Sequence, residues 1–420
     1  MTISNSESYT GLTPGAMEPW PAGLADLAFT REEYLGRIRR LRELMAQNNI
    51  DLLYVTAPDH VAYLHGYVAS WYKTSGPMRY PQLYGTAIHV DSDEFIHFDN
   101  PTELPVLGKT SVSTDNRFFT SRDAGPCLEL VISELKAKGW LGGTVGLEYW
   151  SYLPNRAIST MLEGGFLAES CRVVDASALV RRVRRVKSTA EIAHIEKATE
   201  IADIGHLAVR EFARPGMTEL ELYGETLRAM MAAGGESPAL VHSFTSAPIR
   251  DGRPVASGHA MMGRKVIEAG DFLKIDIAGV YYRYHANVQR GYVVGDPPAA
   301  MMENVTTAAG AFDVMATEVK AGMTVGEVIA ILQRYYKDVG LWDQPGWGLG
   351  YELGLSLPPD WVGEFYFHFR DERDLDRVFE ENMVTNYESM FNTWLVDTLV
   401  YGKDSTRILS KTPFELLGVG

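Results

Sequence analysis

The sequence predicts a mixed α/β protein of two domains, an alternating α/β unit followed by a larger body of long helices and paired strands. Three observations predict it. The length, 420 residues, is enough for two cores of ordinary domain size. Strand-like and helix-like segments alternate up to about residue 180, the pattern of an α/β domain. A basic run, "RRVRRVK", then leads into a long capped helix that opens a second unit. These features divide the chain into an N-terminal arm over 1–25, an α/β domain over 26–182 and a second domain over 183–420.

Each element has its own local reason. "TREEYLGRIRRLRELMAQNNID" reads as an amphipathic helix with Thr30 as N-cap, acids in its first turn and an apolar stripe of Leu35, Ile38, Leu41 and Leu44. "LLYVTA", Leu52 to Ala57, is a buried strand, and "GTAIHV" and "EFIHF" are paired strands. "DAGPCLELVISELKAKG" is a helix and "TVGLEY" a further strand. In the second domain, Ser188 and Glu191 form a capping box ahead of the stripe Ile192, Ile195, Ala198 and Ala202. "MTELELYGETLRAMMAAGG" is a helix closed by glycines. "KIDIAGVYYRYHANVQRGYVVGD", Lys274 to Asp296, reads as strand, turn and strand; alternation would put Tyr282 and Tyr284 on one face and His285 on the other. Two more helices, "MENVTTAAGAFDVMATEV" and "TVGEVIAILQRYYKDVG", precede the strand-like "MVTNYESMF" and "TWLVDTLVYG".

Composition narrows the function classes. A net charge of −15 argues against nucleic acid or an anionic membrane surface as partner, since both demand a basic face. With only Cys127 and Cys171, neither a disulfide framework nor a thiolate metal cluster is expected. The N-terminal "MTISNSESYTGLTPGAMEPWP" has no basic and apolar signal pattern, and no apolar run approaches the roughly 20 residues of a spanning helix. The expectation is a cytoplasmic protein with no membrane partner. "ASGHAMMG" and "GWGLG" are glycine-spaced but lack phosphate-loop spacing, and there is no Gly-x-Ser-x-Gly elbow.

Taken in order and spacing, "VKSTAEIAHIEKA", "EAGDFLKIDIAGVYYRYHANVQRGYVVGD", "AGMTVGEV", "GWGLGYELG" and "MVTNYESMF" make the chain resemble the creatinase, prolidase and aminopeptidase P family over nearly its whole length. The resemblance implies a creatinase-like N-terminal α/β domain followed by an α+β catalytic domain of the pita-bread fold. Metal-dependent members use two aspartates, a histidine and two glutamates. Carried over by position, these fall on Asp276, Asn287, Trp347, Glu388 and Val396, with Asp397 next to the last. An amide, an indole and an isopropyl group cannot replace ligands that must neutralise a divalent pair, so no metal and no other cofactor is expected. In a shifted register Asp397 would join Asp276 and Glu388, which still leaves too few ligands.

The resemblance is nearest to the metal-free creatinase and ectoine hydrolase branch, whose members cleave C–N bonds of small zwitterionic amidines or guanidines. It implies that His259 is the acid/base and that Glu388, with Asp276, holds the cationic part of the substrate. It also implies that Arg79 reaches across a homodimer to bind the substrate's carboxylate, with Trp71, Tyr72 and Tyr80 beside it. Asn287, Gln289, Tyr282, His285 and Trp347 are further substrate-binding candidates, and Gln289 stands where creatinase carries a second glutamate. His242, Phe244, Trp342 and Trp347 are candidate pocket walls, with core packing the favoured role for each. Asp276 and Glu388 have a blander reading too, as relics held by backbone or Arg290. Two further readings of the whole chain stay open: an Xaa-Pro dipeptidase or lyase with an altered metal site, and a non-catalytic small-molecule binder.

Overall fold

The computed structural model describes residues 18, 20–21, 23–70, 83–255, 260–392 and 394–420. His259 and Arg79 therefore lie outside the described residues, as do Trp71, Tyr72 and Tyr80 and most of the N-terminal arm. The chain divides into two compact units, Met1–Arg184 and Arg185–Gly420.

The first unit is built on a six-stranded sheet. Its elements in chain order are α1 (Arg31–Gln47), β1 (Leu52–Val55), α2 (Pro58–His65), β2 (Gly85–His89), β3 (Phe95–Asp99), α3 (Leu104–Thr110), β4 (Asn116–Phe118), α4 (Ala124–Ala137), β5 (Thr144–Leu147), α5 (Arg156–Ala168), β6 (Arg172–Asp175) and α6 (Ser177–Arg185). The sheet order is β4-β3-β2-β1-β5-β6. The central β1–β2–β3 meander is antiparallel, and β4, β5 and β6 add in parallel, each after a helix. Val131 and Leu135 of α4 and Leu162 and Phe166 of α5 pack on Leu52, Tyr54, Ile96 and Val145.

Thr30 caps α1 as expected, accepting from the Glu33 N–H. The buried stripe of α1 is turned from the expected one: Tyr34, Arg37, Ile38, Leu41 and Met45 are inside, while Leu35 and Leu44 flank it. The reason is Arg37, fully buried with its guanidinium 4.1 Å from the Phe29 ring and 2.9 Å from Glu33. Hydrophobic periodicity counts an arginine as surface, but a stacked and paired guanidinium is at home inside.

The second unit carries α7 (Thr189–Phe212), α8 (Glu219–Ala232), β7 (Ser243–Arg250), β8 (Arg253–Pro254), β9 (Asp271–Tyr281), β10 (Tyr284–Val294), α9 (Ala299–Glu318), α10 (Val325–Asp338), β11 (Trp347–Tyr351), β12 (Tyr366–His368), β13 (Val384–Met390), β14 (Leu395–Tyr401), β15 (Thr406–Ile408) and β16 (Leu417–Val419). One sheet runs β12-β11-β13-β14-β10-β9-β7-β8. The Ser188–Glu191 capping box opens α7, and matching boxes open α8 and α10. Helices α7 and α8 pack on Phe244, Ile275, Ile277 and Val288, and α9 and α10 on Tyr387, Leu395 and Leu399. Strand alternation sends the neighbours of these residues, Asp276, Asn287, Gln289 and Glu388, to the other side of the sheet. That second face carries the site.

The β9–β10 hairpin differs from its sequence reading at the tip. Its turn is two residues, Tyr282 and Arg283, both with positive φ (+46° and +63°), so Tyr282 stands on neither strand face. A two-residue turn of this hand matches the twist of the flanking strands. The Tyr282 ring packs instead at 5.2 Å from His194 of α7, and Tyr284 donates from its hydroxyl to Glu191 at 2.8 Å.

Candidate active site

Register brings the candidates into one row. Across the sheet, Leu349 faces Glu388, Glu388 faces Val396, Val396 faces Gln289, Gln289 faces Asp276, and Asp276 faces Ser243. Paired residues point to the same side, so Asp276 and Glu388 share a face with Gln289 and Val396 between them. One position along the same face, Asn287 follows on β10 and Asn386 on β13.

Two side-chain amides tie the carboxylates together. Asn287 Nδ2 donates to Asp276 Oδ1 at 2.8 Å, and Asn386 Nδ2 donates to Asn287 Oδ1 at 3.3 Å and to Glu388 Oε1 at 3.1 Å. The Asn386 carbonyl is fixed in turn by the Tyr351 N–H at 2.9 Å. On the other flank, the Trp347 indole N–H reaches Glu388 Oε2 at 3.4 Å. Asn386 was not singled out from the sequence; its position two residues before Glu388 in "NYES" was the available signal.

Burial raises the Glu388 carboxyl to about 7, and the charge of Asp276 pushes the same way. The donors Trp347 and Asn386 and the ammonium of Lys274 work against this rise. Glu388 is thus poised to exchange a proton near neutral pH, as an acid/base or a cation-binding group needs. Tyr351, half-buried on the same face, has its hydroxyl held neutral well above the ordinary range, first by desolvation and then by Glu388.

The other expected residues sort differently. Gln289 is buried in the row with its amide 3.9 Å from Met390 Sδ. His285 is fully buried and braces backbone: Nδ1 lies 2.7 Å from Arg283 O, and Nε2 accepts from the Ala239 N–H at 3.0 Å. Burial holds its imidazole neutral, well below the usual histidine range, and both ring nitrogens are engaged. His285 therefore positions the 236–241 loop instead of presenting an atom to a ligand. His242 accepts from the Ala278 N–H at 3.0 Å and packs between Tyr223 and Phe244.

The donor set does not fit a pair of divalent ions. Such ions need carboxylate lone pairs directed at them. Here Asp276 Oδ1 and both Glu388 oxygens accept N–H groups, and the intervening register position is Val396. Asp397 cannot complete the set, because it faces the opposite side of the sheet and is 2.6 Å from Arg290 Nη2. Arg290 spends its other donors on the carbonyls of Val396, Pro413 and Thr412, so it holds Asp397 and not the site carboxylates. Among the described residues no group of three or more His, Cys, Asp or Glu side chains could hold a metal ion.

A two-unit chain with paired carboxylates on one face of its second sheet has the architecture of the prolidase and aminopeptidase P structures. Residues 193–408 match Metallopeptidase family M24 and residues 37–186 match the Creatinase/Prolidase N-terminal domain, so the chain belongs to that family. Its relatives include an ectoine hydrolase of Halomonas elongata, 28% identical over 389 residues that span 88% of this chain and 92% of the relative. An Xaa-Pro dipeptidase of Pyrococcus furiosus is 26% identical over 387 residues, 91% of this chain and 99% of the relative. Among solved structures, an Xaa-Pro dipeptidase from Bacillus anthracis superimposes with a TM-score of 0.74 at 21% identity, covering 91% of this chain and 99% of its own. An X-Pro aminopeptidase from Thermotoga maritima gives 0.73 at 19% identity, with coverage of 91% and 99%. These two share the fold. No helix among the described residues is long and apolar enough to cross a membrane.

Proposed function

We propose that this protein is a metal-independent hydrolase that cleaves a C–N bond of a small zwitterionic amidine, guanidine or amide compound. The observation that carries this reading is the amide chain from Asp276 through Asn287 and Asn386 to Glu388, which stands where a metal pair would need bare carboxylates. Carboxylates so framed, with Glu388 poised at about 7, suit an amidinium or guanidinium whose N–H groups pair with them. The relationship to an ectoine hydrolase supports the same class.

In the proposed reaction Glu388 and Asp276 pair with the N–H groups of the substrate's cationic end, fixing its orientation and holding it in the protonated, electrophilic form. His259 takes a proton from water as the new C–O bond forms. It returns the proton to nitrogen as the C–N bond breaks. Arg79, supplied across a homodimer, pairs with the substrate's carboxylate.

The test combines turnover with metal content. Purified protein is given ectoine, creatine and a panel of N-acyl and amidine amino acids, and its metals are counted by mass spectrometry. We expect cleavage of at least one compound, insensitive to chelators, at well below one metal per chain. Glu388→Gln is expected to lower turnover by about a hundredfold or more. A second reading, an Xaa-Pro dipeptidase, is favoured by the Pyrococcus relative. Stoichiometric manganese, iron or zinc with chelator-sensitive cleavage of Xaa-Pro dipeptides would establish it instead. Binding of a panel compound that is never converted would leave a non-catalytic ligand-binding protein.

A further inference from the structure

Lys274 is a charged residue on the site face to which neither the family pattern nor the sequence reading gave a role. It lies two residues before Asp276 on β9, so alternation puts its side chain on the same face. Its register partners are Gly291 on β10 and Thr245 on β7, both too small to cover it, yet only 2% of it is exposed. Its ammonium stands 5.1 Å from the centroid of the Trp394 ring, a cation–π distance. Burial lowers its ammonium from the ordinary lysine range, the charges of Asp276 and Glu388 oppose that drop in favour of the protonated form, and Lys274 acts back on Glu388. A lysine this deeply buried keeps its charge only where anions compensate it.

We infer that Lys274 is the resident cation of the Asp276–Glu388 site, supplying from the chain itself part of the positive charge that metal-dependent relatives take from their ions. The inference rests on the metal-independent reading and sharpens its substrate class. With Asp276 and Glu388 both ionised, the state that a bound cation selects, two carboxylates and one ammonium leave a single net negative charge. One singly charged group, such as an amidinium or guanidinium, neutralises that site, whereas a divalent ion would overcharge it. The same ammonium repels any metal that approaches the two carboxylates.

Mn²⁺ is the probe, measured by calorimetry on the full chain, with no dependence on turnover. Lys274→Met keeps an unbranched stem over Trp394 and deletes the charge; Lys274→Arg keeps the charge. We expect wild type and Lys274→Arg to bind Mn²⁺ weakly, Lys274→Met to bind it at least about tenfold more tightly, and Asp276→Asn added to Lys274→Met to erase that gain. If circular dichroism shows Lys274→Met misfolded, Lys274→Gln carries the same expectation. Weak binding by wild type with no gain in the uncharged variant, or a gain that survives Asp276→Asn, overturns the role of Lys274 and leaves the proposed function standing. Tight, stoichiometric Mn²⁺ binding by wild type overturns both.

Discussion

At the scale of single residues the site is governed by what neutralises Glu388. Its carboxyl is raised to about 7 from an ordinary 4.5, so the folded state keeps a proton that the unfolded chain has already released. Stability is therefore full below the unfolded value and is lost as pH rises through the folded one. The full linkage for such a shift is about 3 kcal/mol, and partial solvent access reduces it to about 2 kcal/mol. Glu388→Gln removes the term. Urea denaturation of the two proteins should show the wild type losing about 2 kcal/mol relative to the variant between about pH 5 and about pH 8.5. A constant difference across that range would mean that Glu388 ionises at its ordinary value. Asp276, Asn287, Gln289, Trp347 and Glu388 were all legible in the sequence, because each sits at a position of the family pattern. Asn386 and Lys274 were not, although each lies two residues from a recognised carboxylate on the same strand face. Positional matching looks only where relatives keep a ligand; a replacement for lost charge appears beside those positions.

At the scale of elements, what sets the site is how closely α7 lies on the hairpin that carries Asp276 and Asn287. Gly279 of β9 is the contact point: a Cβ placed there would stand 1.8 Å from the Ala198 carbonyl oxygen of α7. No side chain fits without lifting the helix off the sheet. Gly279→Ala is expected to cost about 3 kcal/mol or more and to weaken binding at the site, as overpacking against backbone does. Differential scanning calorimetry of the variant checks this, and an unchanged melting temperature would show that the helix yields freely. The capping box offers a milder probe. Ser188→Ala leaves the Glu191 N–H without its side-chain acceptor and should cost about 1 kcal/mol in urea denaturation. The matching boxes at Thr218 and Thr324 carry the same spacing and were not singled out. This box was read from the sequence because its partners are three residues apart and the geometry is local. The same holds for the β9–β10 pairing, whose alternation is strict. The tip misled for the opposite reason. Tyr282 and Arg283 adopt positive φ without the Asn or Gly that usually announces it, so nothing local signalled a two-residue turn. Glycine spacing in "GWGLG" was legible as a pattern but not as a cause. Gly348 and Gly350 admit the rings of Phe369 and Phe367, and those contacts come from a segment about twenty residues away in sequence.

At the scale of the whole molecule, the described residues of both units bury titratable groups whose effects on stability oppose each other. In the first unit His65 and His97, and in the second His206, His242 and His285, are held neutral by burial, with His97 and His206 at about 3 and His242 at about 4. Unfolding lets each of these five take up a proton at a pH between its depressed folded value and its ordinary 6.5. Against them, Asp99 and Glu103 of the first unit and Glu388 of the second are each raised to about 7, chiefly by burial, and release a proton on unfolding at the same pH. At about pH 5.5 the depressed histidines, which His89 and His368 join, outnumber the raised acids, which Asp397 joins, so complete unfolding should absorb protons. The sign is fixed by the histidines: a depressed imidazole gives stability that is present above 6.5 and lost as pH falls. Stability should accordingly decline on acidification near that point, by about 1.4 kcal/mol per pH unit for each proton absorbed. A pH-stat record of unfolding in concentrated urea measures the protons directly, whether the units unfold together or apart. Release of protons, or none, would mean that the imidazoles are already charged inside the protein. Both ring nitrogens of His65, His206 and His285 are hydrogen-bonded inside the fold, and His285 Nε2 accepts the Ala239 N–H, so a second proton there would have to displace a donor.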